Sequence, residues 1–243
     1  MSNDYETKTS FEDIVAAGLE ELGRENPILL YPVSQYRRLP NDYPQDSAAI
    51  ELTTLEENKS VGTLIVQPLR SLLDDARSQG FTAILTSGFR SIRHQERIFS
   101  RYVGEERESG LDQEDAIAAA NAYSAKAGYS EHHLGTTVDI RASFEPEEWD
   151  IARNGFDQGI YGWMRSNAHH YGFILSYPTS NESNHYAKPG SGYESAEPWH
   201  LRFVGKRIAQ HLYQQGYLDP DTPITLNTFL EEAYRIVESS NPS

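Results

Sequence analysis

Two short segments of this 243-residue chain hold side chains whose types and spacing could do chemistry together. The first is Ser130-Glu131-His132-His133-Leu134-Gly135-Thr136-Thr137-Val138-Asp139, and the second is Glu197-Pro198-Trp199-His200. Each supplies an imidazole. The first adds a carboxylate placed to ligate, and the second a carboxylate three residues ahead of its imidazole. A catalytic zinc ion takes three N/O ligands from the protein and keeps a fourth position for water. That water requires a base beside it. The spacing divides the labour, with His132, Asp139 and His200 on zinc and Glu197 taking a proton.

The elements that carry these residues must bring them to one point. His132 has to fold back over Asp139, and Gly135 is placed to make the turn. From Thr136 to Arg141 the chain alternates, with Val138 and Ile140 on one side and Thr137, Asp139 and Arg141 on the other. That period marks a strand whose Asp139 points to the exposed face, away from the core. Glu197 and His200 turn to one side of a tight turn stiffened by Pro198. Spacing alone also admits His133, His169, His170 and His185 as ligands. It leaves the choice between His132 and His133 open, except that neighbours in an extended segment point opposite ways.

Along the chain, residues 1–10 read as a polar tail and Phe11 to Leu22 as an amphipathic helix. Residues 24–58 hold four prolines and little periodicity, so they are expected to wrap the surface as extended chain and turns. Pro68 opens a helix with Leu69, Leu72, Leu73 and Ala76 on one face, closed by Gly80. A strand over 82–86 then turns through Ser87–Ser91 into a helix bearing Gln95, Ile98, Phe99 and Tyr102. Helices are expected at 112–127, 158–171, 204–217 and 225–238, strands at 173–176 and 200–203, and a Gly/Ser/Asn-rich loop at 178–196. Helices and short strands without regular βαβ alternation predict an α+β fold with a small antiparallel sheet flanked by helices. The chain divides on this reading into an N-terminal tail, helix and wrapping segment (1–58) and a catalytic domain with C-terminal helices (59–243).

Composition excludes several functions. A net charge of −15 opposes non-specific nucleic-acid binding and adhesion to anionic polymers or membranes. With no cysteine, neither a disulfide framework nor a thiolate metal site can form, so zinc must rest on His and carboxylate. No apolar stretch reaches the length of a membrane span, and Met1-Ser2-Asn3-Asp4 is polar and acidic, unlike a signal peptide. The expectation is a cytoplasmic protein if this chain is full length, and an extracellular or cell-envelope one if its N-terminus is trimmed. A monomer is the default.

Taken as ordered blocks, these residues resemble the VanY-type D-alanyl-D-alanine carboxypeptidases, zinc peptidases that share a fold with lysostaphin-like enzymes and the hedgehog signalling domain. The blocks are Ser87-Gly88-Phe89-Arg90-Ser91 with Gln95, Ser130-x-His132-x-x-Gly135-x-x-x-Asp139, Tyr171-Gly172-Phe173-Ile174-Leu175-Ser176-Tyr177-Pro178, and Glu197-Pro198-Trp199-His200-x-Arg202-x-Val204-Gly205. The resemblance implies that His132, Asp139 and His200 bind zinc and that Glu197 is the general base, which decides between His132 and His133. It implies that Arg90 polarises the scissile carbonyl and that Gln95 and Ser130 hold the substrate's C-terminal residue. The implied substrate is a peptidoglycan stem peptide losing D-alanine, with D,D- or L,D-specificity. Tyr177 is a further candidate to face the substrate, whereas Trp199 is expected to pack beneath its turn. Two departures stand out: Ser176 replaces a usual basic residue, and the stretch 179–196 is long, as a lid would be. The rival readings are a lysin-like peptidoglycan endopeptidase and a non-catalytic zinc-containing wall-binding domain. The intact Glu197 and Arg90 argue against the second.

Overall fold

The computed structural model describes residues 9–142, 158–178, 197–219, 221–222 and 224–240. Helix α1 (Phe11–Leu22) begins on a reciprocal cap, in which the Ser10 hydroxyl accepts from the Asp13 amide and the Asp13 carboxylate accepts from the Ser10 amide. Two otherwise orphaned helix donors are satisfied this way. A hairpin of β1 (Leu52–Thr54) and β2 (Ser60–Gly62) precedes helix α2 (Val66–Ser78), which buries Leu69, Leu72, Leu73 and Ala76 as its period demands. Strand β3 (Ile84–Ser87) leads into α3 (Ile92–Glu108), capped by Ser91, and then α4 (Gln113–Asn121), capped by Asp112. The remaining described elements are β4 (Thr137–Arg141), α5 (Gly159–Asn167), β5 (Phe173–Leu175), β6 (His200–Phe203), α6 (Lys206–Gln214) and α7 (Leu226–Ser240).

The α+β expectation holds. The main sheet is antiparallel in the order β3-β4-β6-β5. Leu85, Val138, Ile140, Leu201 and Phe203 join a hydrophobic core shared with α1, α2, α5, α6 and α7. Since side chains alternate across a strand, Asp139, His200 and Arg202 stand on the opposite face. That face is not solvent-exposed, as the alternation had suggested, because Asp139 and His200 are both buried.

Several expected elements differ. The 24–58 segment does not merely wrap the surface. Leu29, Leu30, Val33, Leu39 and Tyr43 are buried in the main core, and the segment ends by supplying β1. Long-range contacts such as the Tyr43 hydroxyl on the His133 carbonyl (2.5 Å) place it, and such contacts leave no periodic trace. The 58/59 division falls inside the β1–β2 hairpin, where Leu52 pairs with Gly62. The helix expected over 112–127 stops at Asn121, since the chain must turn to present the Ala125 carbonyl to Gln95 at 2.7 Å. The one expected over 158–171 tightens into a 3₁₀ turn, Ala168–Tyr171, which ends at Gly172 in the left-handed conformation. Residues 179–196, the expected lid, lie outside the described residues.

Candidate metal centre

His132 sits in a 3₁₀ turn, Glu131–Leu134, that Ser130 opens by accepting the His132 amide at 3.3 Å. Gly135 closes the turn at φ +75°, in the left-handed region that favours glycine, and passes the chain straight into β4. The His132 ring is held by the Gly88 carbonyl, 2.7 Å from Nδ1. Gly88 is glycine for a reason of space: a Cβ there would lie 2.3 Å from the Ser60 carbonyl oxygen of β2. Asp139 and His200 are directly paired residues in the β4–β6 register, so the sheet itself sets one ligand against the other.

The three residues form a buried cluster whose candidate ligand atoms lie within 4.8 Å of one another. A carbonyl can only accept, so His132 Nδ1 carries the hydrogen and Nε2 presents a lone pair. Nε2 is 3.4 Å from Asp139 Oδ1, and both atoms are buried without a hydrogen-bond partner. His200 gives its Nε2 to Glu131 (2.9 Å) and turns Nδ1 to within 3.2 Å of the same Asp139 oxygen. Acceptors converging on one point in a buried site repel unless a cation fills it. Burial lowers the pKa of His200, but the carboxylates of Asp139 and Glu131 on either side of the ring outweigh burial and raise it to about 10. Burial drives His132 down to about 4, with Arg90 adding to the effect. Burial acts to raise Asp139, yet the two histidines facing it, His132 and His200, hold it well below the ordinary carboxylate range. Zinc would have to displace the His200 proton, and the two imidazoles and ionised carboxylate left behind are a donor set that it accepts.

Around the cluster stand the groups that could act on a substrate. Glu197 Oε2 lies 3.6 Å from His200 Nδ1, and burial raises its pKa to about 7. Arg90 is fixed by Ser87 (3.2 Å), Gln95 (3.1 Å) and the Asp139 Oδ2 atom (3.4 Å). A groove of about 720 Å³ opens over the site, lined among others by Arg90, Ser130, Tyr177, Glu197 and Trp199. Trp199 packs as expected and also lines the groove. Its ring belongs to the core, and Arg141 rides over it 4.4 Å from the centroid.

A family model described as D-alanyl-D-alanine carboxypeptidase, VanY, matches residues 58–206. The chain belongs to the VanY family. A D-alanyl-D-alanine carboxypeptidase of Enterococcus faecalis (strain ATCC 700802 / V583) is 32% identical over 205 residues, 84% of this chain and 69% of that protein. The solved structure of a mutant of the vancomycin resistance D,D-pentapeptidase VanY from a VanB-type cassette, in complex with Zn(II), is 30% identical. It covers 83% of this chain and 98% of its own, with a TM-score of 0.62. The LdcB LD-carboxypeptidase is 25% identical, covering 85% of this chain and 88% of its own, with a TM-score of 0.58.

In this VanY-family site the histidine ambiguity ends structurally. His133 spends both nitrogens on backbone, Nδ1 on the Arg90 carbonyl (2.7 Å) and Nε2 on the Gly128 amide (3.1 Å). His169 stacks on Tyr213 with centroids 3.7 Å apart and contacts His170, and neither histidine lines the groove. His185 lies outside the described residues. Tyr177 packs its ring 5.0 Å from that of His200, and Ser130 lines the groove. Gln95 departs from the substrate-holding role that the resemblance implies: it is fully buried and does not line the groove. Its amide spans Arg90 on one side and Ser124 and Ala125 on the other. Sequence reasoning missed Glu131 and Arg202, a buried pair at 2.7 Å beside His200. Period two on β6 was the available signal, since it puts Arg202 on the face of His200.

Proposed function

We propose that this protein is a zinc carboxypeptidase that removes the C-terminal D-alanine from peptidoglycan stem peptides ending in D-Ala-D-Ala. The observation that carries this reading is the buried convergence of His132 Nε2, Asp139 Oδ1 and His200 Nδ1 beside Glu197, at the floor of an open groove. These three residues would hold zinc, and the ion would supply Lewis acidity to a water and a carbonyl. Glu197, raised to about 7 by burial, accepts a proton from the attacking water and returns it to the leaving amine. Arg90 supplies positive charge where the carbonyl oxygen becomes an oxyanion, with no reorganisation because three partners already hold it. The Ser130 hydroxyl, having accepted the His132 amide, keeps its own hydrogen for the substrate's terminal residue. Tyr177 contributes an aromatic wall. Gln95 acts through Arg90 and not on substrate.

Every one of these groups comes from one chain, which supports a monomer as the working unit. Action on the stem peptides of assembled wall would place the reaction outside the cytoplasmic membrane, and action on soluble precursors would place it inside. No described helix is long and apolar enough to cross a membrane.

The test is a release assay with stem pentapeptide and tetrapeptide, reading free D-alanine by mass spectrometry. The zinc-loaded wild type should release D-alanine from the pentapeptide. Glu197→Gln should keep its zinc and lose about 100- to 10,000-fold in rate. Release from the tetrapeptide alone would move the specificity to L,D. No release from either, with zinc bound, would replace this reading with an endopeptidase or a binding domain.

A further inference from the structure

A buried relay runs from the metal ligand His200 back to the N-terminal part of the chain. Glu131 Oε2 lies 2.9 Å from His200 Nε2 and accepts the Ser176 hydroxyl at 2.6 Å. Glu131 Oε1 accepts Arg202 Nη1 at 2.7 Å. The other terminal nitrogen of Arg202 donates to the carbonyls of Leu29 and Tyr31, both at 2.9 Å. Arg202 is completely buried and Glu131 nearly so. An interior ion pair is a poor source of stability, because removing both charges from water costs several kcal/mol per ion and apolar replacements are often neutral or better. What the pair does impose is direction. An ionised carboxylate only accepts, so the imidazole nitrogen facing it must bear hydrogen, and once the ring is neutral, as a metal ligand must be, the other nitrogen presents its lone pair.

We infer that Glu131 is a positioning residue that makes Nδ1 of His200 the metal-facing atom, with Arg202 and the Leu29 and Tyr31 carbonyls as its anchor. Leu29 and Tyr31 precede the residues 58–206 that match the family model, so support for a metal ligand is drawn from outside that match. The inference rests on the zinc reading of the cluster and adds to it the atom that binds and the residue that selects it.

Two measurements test it. In the zinc-loaded full chain, ¹⁵N-histidine NMR should show His200 protonated at Nε2 and bound to metal through Nδ1. Zinc affinity by chelator competition should then be compared in two double variants, Glu131→Gln with Arg202→Met and Glu131→Met with Arg202→Met. Both remove the buried charges, but only the first keeps an acceptor facing Nε2. The second should bind zinc about 10- to 100-fold more weakly than the first. A purely structural Glu131 would lower the Tm of both and leave their zinc affinities equal, which would overturn the inference. So would zinc on Nε2 of His200 in the wild type, a result that stands alone if neither variant folds. Failure of the wild type to bind zinc at all would instead overturn the metal reading, and this inference with it.

Discussion

Arg90 shows how a reactive side chain depends on a neighbour that never meets substrate. Its guanidinium is placed by Gln95, whose amide is itself pinned to Ser124 and Ala125 some 30 residues away. Removing Arg90 (Arg90→Ala) should cost about 100- to 1,000-fold in kcat. Gln95→Leu should cost about 100-fold through misplacement, with zinc affinity unchanged. In the double variant the two losses should not add, because Gln95 has nothing left to position. Steady-state kinetics on all three variants checks this. His169 offers a separate test at low pH. Burial lowers its pKa to about 4, and neighbouring His170 adds to the effect. Unfolded, it titrates near 6.5, so below that value the unfolded chain binds the extra proton. Its contribution to stability is therefore whole above pH 6.5 and lost as pH falls towards 4. Denaturant melts should show this decline, and His169→Phe should flatten it. At this scale His132, Asp139, His200 and Glu197 were legible, since their spacing and neighbours form a motif. Glu131 was not, because a carboxylate beside a histidine in a turn looks solvated until the fold closes over it.

Elements were legible where their own period places them. Helices α1 and α2 and strand β4 announced themselves through alternation or a helical stripe that the core then used. The segment ahead of β1 and the end of α4 did not, because tertiary partners fix them: Tyr43 on His133, and Ala125 on Gln95. Two glycines separate these influences. Gly104 lies inside α3 with nothing within 4 Å of an added Cβ. Gly104→Ala should therefore add about 0.5–1 kcal/mol and raise Tm by a few degrees. Gly88→Ala drives a methyl against the Ser60 carbonyl and displaces the Gly88 carbonyl that orients His132. It should cost about 1–3 kcal/mol and weaken zinc binding as well. Calorimetry with and without zinc distinguishes a stability effect from an effect on the site.

For the whole molecule, a ligand that binds only the folded state stabilises it by mass action. Zinc at about 1,000 times its Kd should add roughly 4 kcal/mol. For a chain of this length that raises Tm by about 10 °C, and chelator should return it to the metal-free value. The overall charge, −15, was readable at once, as was the absence of thiolate ligands. The shared core that ties the first sixty residues to the rest was not, because no local pattern records contacts across the whole chain. One such contact has a bearing on biosynthesis. Arg202 reaches the Leu29 carbonyl across 173 positions, so the support beneath His200 joins a part of the chain made early to one made late. A nascent chain that stops before Glu197 lacks that residue, His200 and Arg202, whatever else of it has folded. The cluster of His132, Asp139 and His200 and its support are thus completed together in one late step of synthesis.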